Sequence, residues 1–249
     1  MMESYQSFAM LYDELMEDAP YDEWIQFAMF FIDRFAENKR TLIDLGCGTG
    51  ELSLRFREKG FQVTGVDLSA EMLAIAREKE GNHAGNITWV QQDLVKLEAP
   101  EKYDIGVSFC DVLNYIINPE DLKAAFQIIS NVLTEGGLFL FDMHSEKYVN
   151  DFLANQTFGE VREDISYIWF CDEGEYDSTV EHALTFFVKT DNGQYERFDE
   201  HHIQRTYPIS FIKEALSSSH SRILGIYSDF STATFHEEGD RFFFVCQKI

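Results

Sequence analysis

The 249-residue sequence has few cysteines and few basic residues. Its four cysteines are far apart and form no CxxC pair, which argues against a zinc site or a disulfide framework and favours a reducing compartment. The chain has 44 aspartates and glutamates but only 20 lysines and arginines, which gives a formal net charge of −24 at pH 7. Because affinity for nucleic acid depends largely on basic groups that neutralise phosphates, we expect no nucleic-acid partner.

Long hydrophobic runs are also missing. No apolar stretch approaches the roughly 20 residues that cross a bilayer, and the first residues lack a basic region followed by an apolar core. We therefore expect a cytoplasmic protein without a membrane partner, whose acidic surface aids solubility. With 45% hydrophobic residues, the chain can bury one large α/β core, as a monomer or a dimer.

The sequence LIDLGCGTG at 42–50 organises the rest of the chain. Apolar and β-branched residues at 41–45 predict a buried strand, the glycines that follow predict a tight turn, and helical spacing begins at Glu51. Bare backbone lets a ligand approach, and unpaired N–H groups at a helix N-terminus face it. This order predicts a site for an anionic or strongly polar ligand.

Strands and helices alternate along the following part of the chain. The pattern predicts a doubly wound α/β fold with a mostly parallel sheet, completed to seven strands by a C-terminal hairpin. The strands after the first are predicted at 61–67, 87–92, 103–109, 138–143, 222–230 and 241–248. Polar residues follow the central strands, and the topology gathers them at one edge, where such sheets bind ligands. These residues are Asp67, Asp93, Asp111 and His144.

A different pattern begins near residue 157. Apolar and polar residues alternate at 165–169, 182–188 and 194–207, and Asp191-Asn192-Gly193 signals a tight turn. The pattern predicts an inserted antiparallel β-meander, interpreted as a lid over the ligand edge, with an edge extension of the main sheet as the alternative. The predicted units are an N-terminal helical arm at 1–37, the α/β domain at 38–156 and 208–249, and the lid at 157–207.

The glycine spacing departs from a nicotinamide-binding fingerprint. That fingerprint is GxGxxG, whereas this loop has Gly46-x-Gly48-x-Gly50. Asp44 also lies directly before the turn, where a carboxylate would repel a pyrophosphate and favour a cationic group. Carboxylates accept hydrogen bonds only, so those at the next two strand ends suit a ligand that presents hydroxyl and amine donors.

Residues 40 to 145 resemble the class I S-adenosylmethionine-dependent methyltransferases, with three motifs in order. LIDLGCGTG is similar to the first motif, whose loop lies against the amino-acid part of the cofactor. VTGVDLS resembles the second, which implies that Asp67 takes the ribose hydroxyls. QQDL resembles the third, which implies that Asp93 accepts from the adenine amine while Leu94 packs beside the ring.

The resemblance implies a Rossmann-like fold, S-adenosyl-L-methionine as cofactor and S-adenosyl-L-homocysteine as product. The cofactor-binding residues it implies are Tyr12, Asp44, Gly46, Cys47, Gly48, Gly50, Asp67, Leu68, Met72, Asp93, Leu94 and Phe109. An arm with Tyr5 and Tyr12, and EHHIQRTY at 200–207, further resemble a bacterial subgroup of small methyltransferases with an inserted antiparallel sheet. That subgroup implies no particular acceptor.

The acceptor is less well defined. CDVLNY follows the fourth strand in place of an NPPY-type motif, which lowers the expectation of nucleic-acid modification. In-line transfer of a methyl group from a sulfonium requires that the nucleophile is positioned and that water is excluded. A general base is needed only if the acceptor is protonated, and no metal is required. The predicted catalytic residues are Asp111, Tyr115, His144 and His201.

His201 and His202 fall on opposite faces of a strand, so only one of them can face the cleft. We predict methyl transfer to a nitrogen or oxygen of a small molecule. Methylation of a protein side chain and a non-catalytic, cofactor-binding regulatory role are the alternatives.

Overall fold

The computed structural model describes residues 11–81, 87–190 and 192–249, so Tyr5 of the predicted arm and Asp191 of the predicted turn lie outside it. The α-helices are α1 (Tyr21–Phe35), α2 (Glu51–Glu58), α3 (Ala70–Glu80), α4 (Pro119–Val132) and α5 (Ile209–Ser218). Residues 11–15 form a helical turn before α1. In the described ranges, no helix combines the length and the apolar character that a bilayer crossing requires.

The strands form two separate sheets. They are β1 (Thr41–Leu45), β2 (Gln62–Asp67), β3 (Ile87–Gln91), β4 (Tyr103–Ser108), β5 (Leu133–His144), β6 (Gln156–Val161), β7 (Ile165–Glu173), β8 (Thr179–Lys189), β9 (Tyr195–Arg205), β10 (Ser221–Ser228) and β11 (Arg241–Lys248). The main sheet has seven strands in the order β10-β11-β5-β4-β1-β2-β3. Strands β1 to β5 pair in parallel, and β11 is antiparallel to both of its neighbours. The predicted doubly wound, seven-stranded fold is confirmed.

Helices cover both faces of the main sheet. On one face Phe27 and Phe31 of α1 and Phe56 of α2 are fully buried. On the other, Phe126 of α4 and Ile212 of α5 pack against the sheet. Burial of these large side chains contributes about 1.5–3 kcal/mol each. The order of strands reverses between β1 and β4, so the carboxyl ends of β1, β2, β4 and β5 surround a single crevice.

The insertion is a sheet of its own, with antiparallel strands in the order β6-β7-β8-β9. The alternative of an edge extension of the main sheet is therefore wrong. The first strand of the insertion begins at Gln156, one residue before the predicted boundary. A π-helical segment, Tyr148–Leu153, joins it to β5. Strand β9 then lies against the 3₁₀ turn Val112–Tyr115, which follows β4.

Two strand ends differ from the predictions by more than one residue. β5 begins at Leu133 instead of 138, because Tyr103 already pairs with Leu133; the next pair is Ile105 with Leu138, so four residues of β5 lie opposite the single residue Asp104 of β4. β10 ends at Ser228 instead of 230, because Asp229 and Phe230 have positive φ angles that turn the chain out of the strand.

Candidate active site

The glycine loop after β1 has a left-handed backbone that approaches its surroundings closely. At Gly46 (φ +78°), an added Cβ would come within 2.3 Å of a methyl group of Val112. At Gly48 (φ +54°), it would meet no atom within 4 Å. Gly46 therefore packs against the loop after β4, whereas Gly48 presents bare backbone to open space. This is the cradle that a ligand at a helix N-terminus requires.

Asp67 fastens this loop to the end of β2. One carboxylate oxygen accepts from the backbone N–H of Gly48 at 2.8 Å, and the other accepts from that of Ser69 at 2.8 Å. Burial raises the pKa of Asp67 above its usual value, against these hydrogen bonds. The neighbouring Leu68 is 68% exposed, unusually high for a leucine beside a sheet edge. An apolar surface therefore lies next to an acceptor at this strand end.

Asp93 lies two residues beyond the end of the adjacent strand β3. Its side chain accepts from the backbone N–H of Val95 at 3.0 Å and remains 35% exposed. Leu94 packs partly buried against the core. One edge of the main sheet therefore holds two carboxylates with free acceptor positions, an apolar side chain and an open glycine loop. The residues fit a nucleoside-bearing cofactor that offers hydroxyl and amine donors.

The described N-terminal residues lie over the glycine loop. Asp13 accepts from the Thr49 hydroxyl at 2.6 Å and from Lys79 Nζ at 3.1 Å, and Lys79 also pairs with Glu51 at 3.0 Å. Burial, and the charges of groups such as Cys110 and Asp111, raise the pKa of Tyr12. The tyrosine predicted from the arm therefore lies near the loop after β4.

Asp111 follows β4 in a strained backbone, since Cys110 and Asp111 have φ angles of 60° and 53°. Its carboxylate accepts from Arg241 Nη2 at 2.9 Å and from Gln204 Nε2 at 2.7 Å. His144 Nε2 lies 3.5 Å from the oxygen that Arg241 contacts. Burial alone would raise the pKa of Asp111, but His144, Arg241 and the hydrogen bond from Gln204 together outweigh burial, so the pKa is lowered and this carboxyl is ionised at pH 7.

Arg241 also binds a second buried carboxylate. Its Nη1 donates to Asp142 at 2.6 Å, and Asp142 accepts in addition from the Trp24 indole at 3.0 Å and from the backbone N–H of Asp111 at 3.1 Å. Sequence analysis missed both Arg241 and Asp142. A signal was present, because Asp142 interrupts the apolar run LFLFDM and a buried acid requires a basic partner.

His144 ends β5 and is nearly enclosed. Burial lowers its pKa to about 4, so the imidazole is neutral at pH 7. The ring stacks on Tyr148 with 4.8 Å between centroids. Its Nδ1 is buried and has no hydrogen-bond partner among the described residues. Within the same part of the chain, no group of three or more His, Cys, Asp or Glu side chains is placed to hold a metal ion.

Known proteins identify the family. Residues 42–137 match the family described as "Methyltransferase domain". A candidate methyltransferase of Geobacillus sp. (strain WCH70) is 41% identical over 246 residues, 98% of this chain and 100% of the relative. The crystal structure of an S-adenosylmethionine-dependent methyltransferase from Clostridium acetobutylicum ATCC 824 is 30% identical, with a TM-score of 0.88 and 98% of both chains covered. This chain belongs to the S-adenosylmethionine-dependent methyltransferases.

S-adenosylmethionine is accordingly the cofactor of this methyltransferase. A more distant structure shares the fold: the amino pentose methyltransferase CalS10 from Micromonospora echinaspora, with S-adenosylmethionine bound. That protein is 17% identical, with a TM-score of 0.72, and 94% of this chain and 96% of that one are covered. At that identity the likeness extends to the fold alone.

The methyltransferase brings most of the predicted acceptor-site residues together, with one exception. His201 lies on the outer face of β9, 56% exposed and 3.6 Å from Glu181. The histidine on the inner face is His202, whose ring meets that of Tyr115 edge to face at 6.1 Å. Alternation along β9 puts His202 and Gln204 on the side that faces Tyr115 and Asp111, so His201 lies away from the other predicted acceptor-site residues.

The remaining predicted residues have mixed positions. Ser69 caps α3 by accepting from the backbone N–H of Met72 at 3.1 Å, so Met72 lies in the first turn of the helix. Cys47 is buried, and its backbone N–H donates to Val66 at 3.0 Å. The ring of Phe109 packs in the core near Phe243, with 6.3 Å between centroids. A side-chain contact between Phe109 and the cofactor is therefore not supported by its position.

Asp44 gives the methyltransferase a testable pH dependence. It accepts from the Ser53 hydroxyl at 2.5 Å, and burial, with the charge of Asp67, raises its pKa to about 7. Because the folded pKa lies above the unfolded value of about 4, this group stabilises the fold most at low pH and loses that contribution as pH rises to 7. The change Asp44→Asn removes this dependence.

We expect the unfolding free energy of Asp44→Asn, relative to that of the wild type, to increase between pH 5 and 7. The slope is at most about 1.4 kcal/mol per pH unit, and the difference levels off above pH 8. Urea unfolding across this range measures it. Asp104→Asn is the matched variant. Asp104 lies at the amino end of β4, on the side of the sheet away from the glycine loop, and there Thr41 and Lys39 lower its pKa against the effect of burial. A flat difference for Asp44→Asn would contradict the assignment.

Proposed function

We propose that this methyltransferase transfers a methyl group in line to a nitrogen or oxygen nucleophile of a small molecule. The acceptor would lie between Asp111, His144 and the inner face of the inserted sheet. One observation carries the proposal: His144 is buried and uncharged, and its Nδ1 has no hydrogen-bond partner among the described residues. A neutral imidazole nitrogen with an unused lone pair can accept a proton from an acceptor bound against it.

The cofactor end of the proposed cleft consists of the glycine loop and two strand ends. Gly48 would lie against the amino-acid part, Asp67 would accept from the ribose hydroxyls, and Asp93 would accept from the adenine amine. When bound, the cofactor supplies a methyl group already activated by a sulfonium. The protein therefore needs to align the nucleophile, exclude water and remove a proton where the acceptor carries one.

Asp111 would orient His144. The carboxylate stays ionised beside Arg241 and lies 3.5 Å from His144 Nε2. An anion at this position favours the imidazole tautomer with its proton on Nε2, which leaves the Nδ1 lone pair available as the base. It would also stabilise the imidazolium that forms when Nδ1 takes the proton.

A small acceptor is favoured by enclosure and charge. Asp111, Asn114 and His144 lie beneath Gln204 of β9, and all four are mostly buried. A polymer would have to displace the inserted sheet to reach them. The net charge of −24 further disfavours nucleic acid.

The change His144→Asn tests the proposal. The purified protein and S-adenosylmethionine labelled at the methyl group are incubated with separate low-molecular-weight, protein and RNA fractions of a bacterial extract. We expect label in the low-molecular-weight fraction, reduced about 10²- to 10⁴-fold in His144→Asn. Binding of S-adenosylhomocysteine should be unchanged within a few-fold. His220→Asn, at an exposed histidine beyond α5, is the control.

Label in the protein fraction would instead favour the alternative of a protein side chain. Equal transfer by the wild type and His144→Asn would show that His144 is not the base. Label in RNA would contradict the proposal outright.

A further inference from the structure

The inserted sheet contains a chain of buried polar side chains that ends at Asp111. Trp169 on β7 donates from its indole N–H to His182 Nδ1 at 3.0 Å. His182 Nε2 on β8 lies 3.1 Å from the amide oxygen of Gln204 on β9. Gln204 Nε2 then donates to Asp111 at 2.7 Å. We call Trp169, His182 and Gln204 the relay.

The indole N–H of Trp169 determines the tautomer of His182 and, through it, the orientation of the Gln204 amide. An indole N–H can only donate, so His182 Nδ1 must be the unprotonated nitrogen. In a neutral ring the proton is then on Nε2, which donates to the oxygen of Gln204. Burial lowers the pKa of His182 to about 4, so the ring is neutral at pH 7. The amide of Gln204 is thereby turned with its nitrogen towards Asp111.

We propose that His182 and Trp169 are positioning residues that act through Gln204 on Asp111. This inference rests on the proposed function, in which Asp111 orients His144. The relay would make the geometry of the acceptor site depend on the inserted sheet being docked. Without it, β9 would reach the site by packing and through the hydrogen bond from Asn114 Nδ2 to the Arg205 carbonyl, at 3.0 Å.

The opposite orientation of Gln204 shows what the relay prevents. If the amide rotated, its oxygen would lie against the carboxylate of Asp111, and two acceptors at 2.7 Å repel. Asp111 would then rotate about its remaining contact with Arg241 and change its separation from His144. The groups near His182 that bear on its charge are Asp111, His201 and His202.

Nuclear magnetic resonance of the full chain saturated with S-adenosylhomocysteine tests the relay without an acceptor. In the wild type at pH 7, we expect the side-chain amide of Gln204 to exchange slowly and His182 to carry its proton on Nε2. In His182→Leu, the Gln204 amide should exchange more than about tenfold faster, because a hydrogen bond to a charged group is lost or weakened. The ¹⁵N signals of His144 should also shift. The matched control His201→Leu, on the outer face of β9, should leave both unchanged.

A milder pair of variants addresses the possibility that His182→Leu fails to fold. Trp169→Phe retains an aromatic ring but removes the donor to His182 Nδ1. It is made in a Cys171→Ala background, since that thiol lies 3.4 Å from the same nitrogen and would replace the donor. We expect the ratio of His182 tautomers to shift about fivefold. Trp89→Phe is the control, because Trp89 on β3 of the main sheet donates to Glu80 of α3, and this variant should lose similar stability without the tautomer shift.

Unchanged Gln204 and His144 signals in both relay variants would overturn the inference, as would a charged His182 or one protonated on Nδ1 at pH 7. These outcomes are separate from the proposed function. The transfer assay on His144→Asn can fail while the relay signals behave as expected, and the reverse is equally possible.

Discussion

The change Asp67→Ala is expected to abolish measurable binding of S-adenosylhomocysteine. Asp67 would accept two hydrogen bonds from the ribose, and it already holds the Gly48 and Ser69 amides at 2.8 Å. Each hydrogen bond to a charged group contributes about 1.5–3 kcal/mol, so losing two raises Kd by roughly 10²- to 10⁴-fold. Isothermal titration calorimetry of the wild type and the variant measures the change.

Asp104→Ala is the matched control for this binding experiment. Asp104 lies at the amino end of β4 and likewise accepts from two backbone amides, those of Arg40 and Thr41. Its loss should lower stability and leave Kd within a few-fold of the wild type. Binding by Asp67→Ala equal to that by Asp104→Ala would place the ribose away from β2.

The change Arg241→Leu is expected to cause the largest loss of stability. Arg241 is the cation that contacts both buried carboxylates, Asp111 and Asp142. Removing one partner of a buried ion pair leaves uncompensated charge and costs about 3–5 kcal/mol. Urea unfolding at pH 7 measures this. Arg222→Leu, at an exposed arginine that contacts Gln247 on the neighbouring strand, should change stability by no more than about 0.5 kcal/mol.

The destabilisation by Arg241→Leu should also depend on pH. The folded pKa of Asp111 is about 2, below its unfolded value of about 4. Its paired charge therefore contributes stability at neutral pH that is lost as pH falls from 4 towards 2. The gap between the wild type and Arg241→Leu should be constant from pH 6 to 8 and narrow in acid. A gap of less than about 1 kcal/mol at pH 7 would contradict the bridging role.

Short-range sequence patterns predicted most of the elements that form the cofactor-binding part of the cleft. Strand periods, the cap at Ser69 and the glycine turn depend on neighbours in sequence, so β1, β2 and β3 lie within one residue of their predicted ends. The parallel topology then brings Asp67 and Asp93 to one edge without further information.

The acceptor side depends on long-range pairing that no local pattern contains. Arg241 meets Asp111 across 130 positions because β11 pairs with β5 in a register that sets Arg241 opposite His144. Alternation separated His201 from His202 but could not tell which face of β9 docks onto the main domain. That choice is made by the contact between Gln204 and Asp111.

A crystal structure with S-adenosylhomocysteine tests the central claim most directly. We expect the ribose hydroxyls on Asp67, the adenine amine near Asp93 and the homocysteine against Gly48, with the sulfur facing the space between Asp111 and His144. A nucleoside bound elsewhere, or a sulfur directed away from those two residues, would contradict the account.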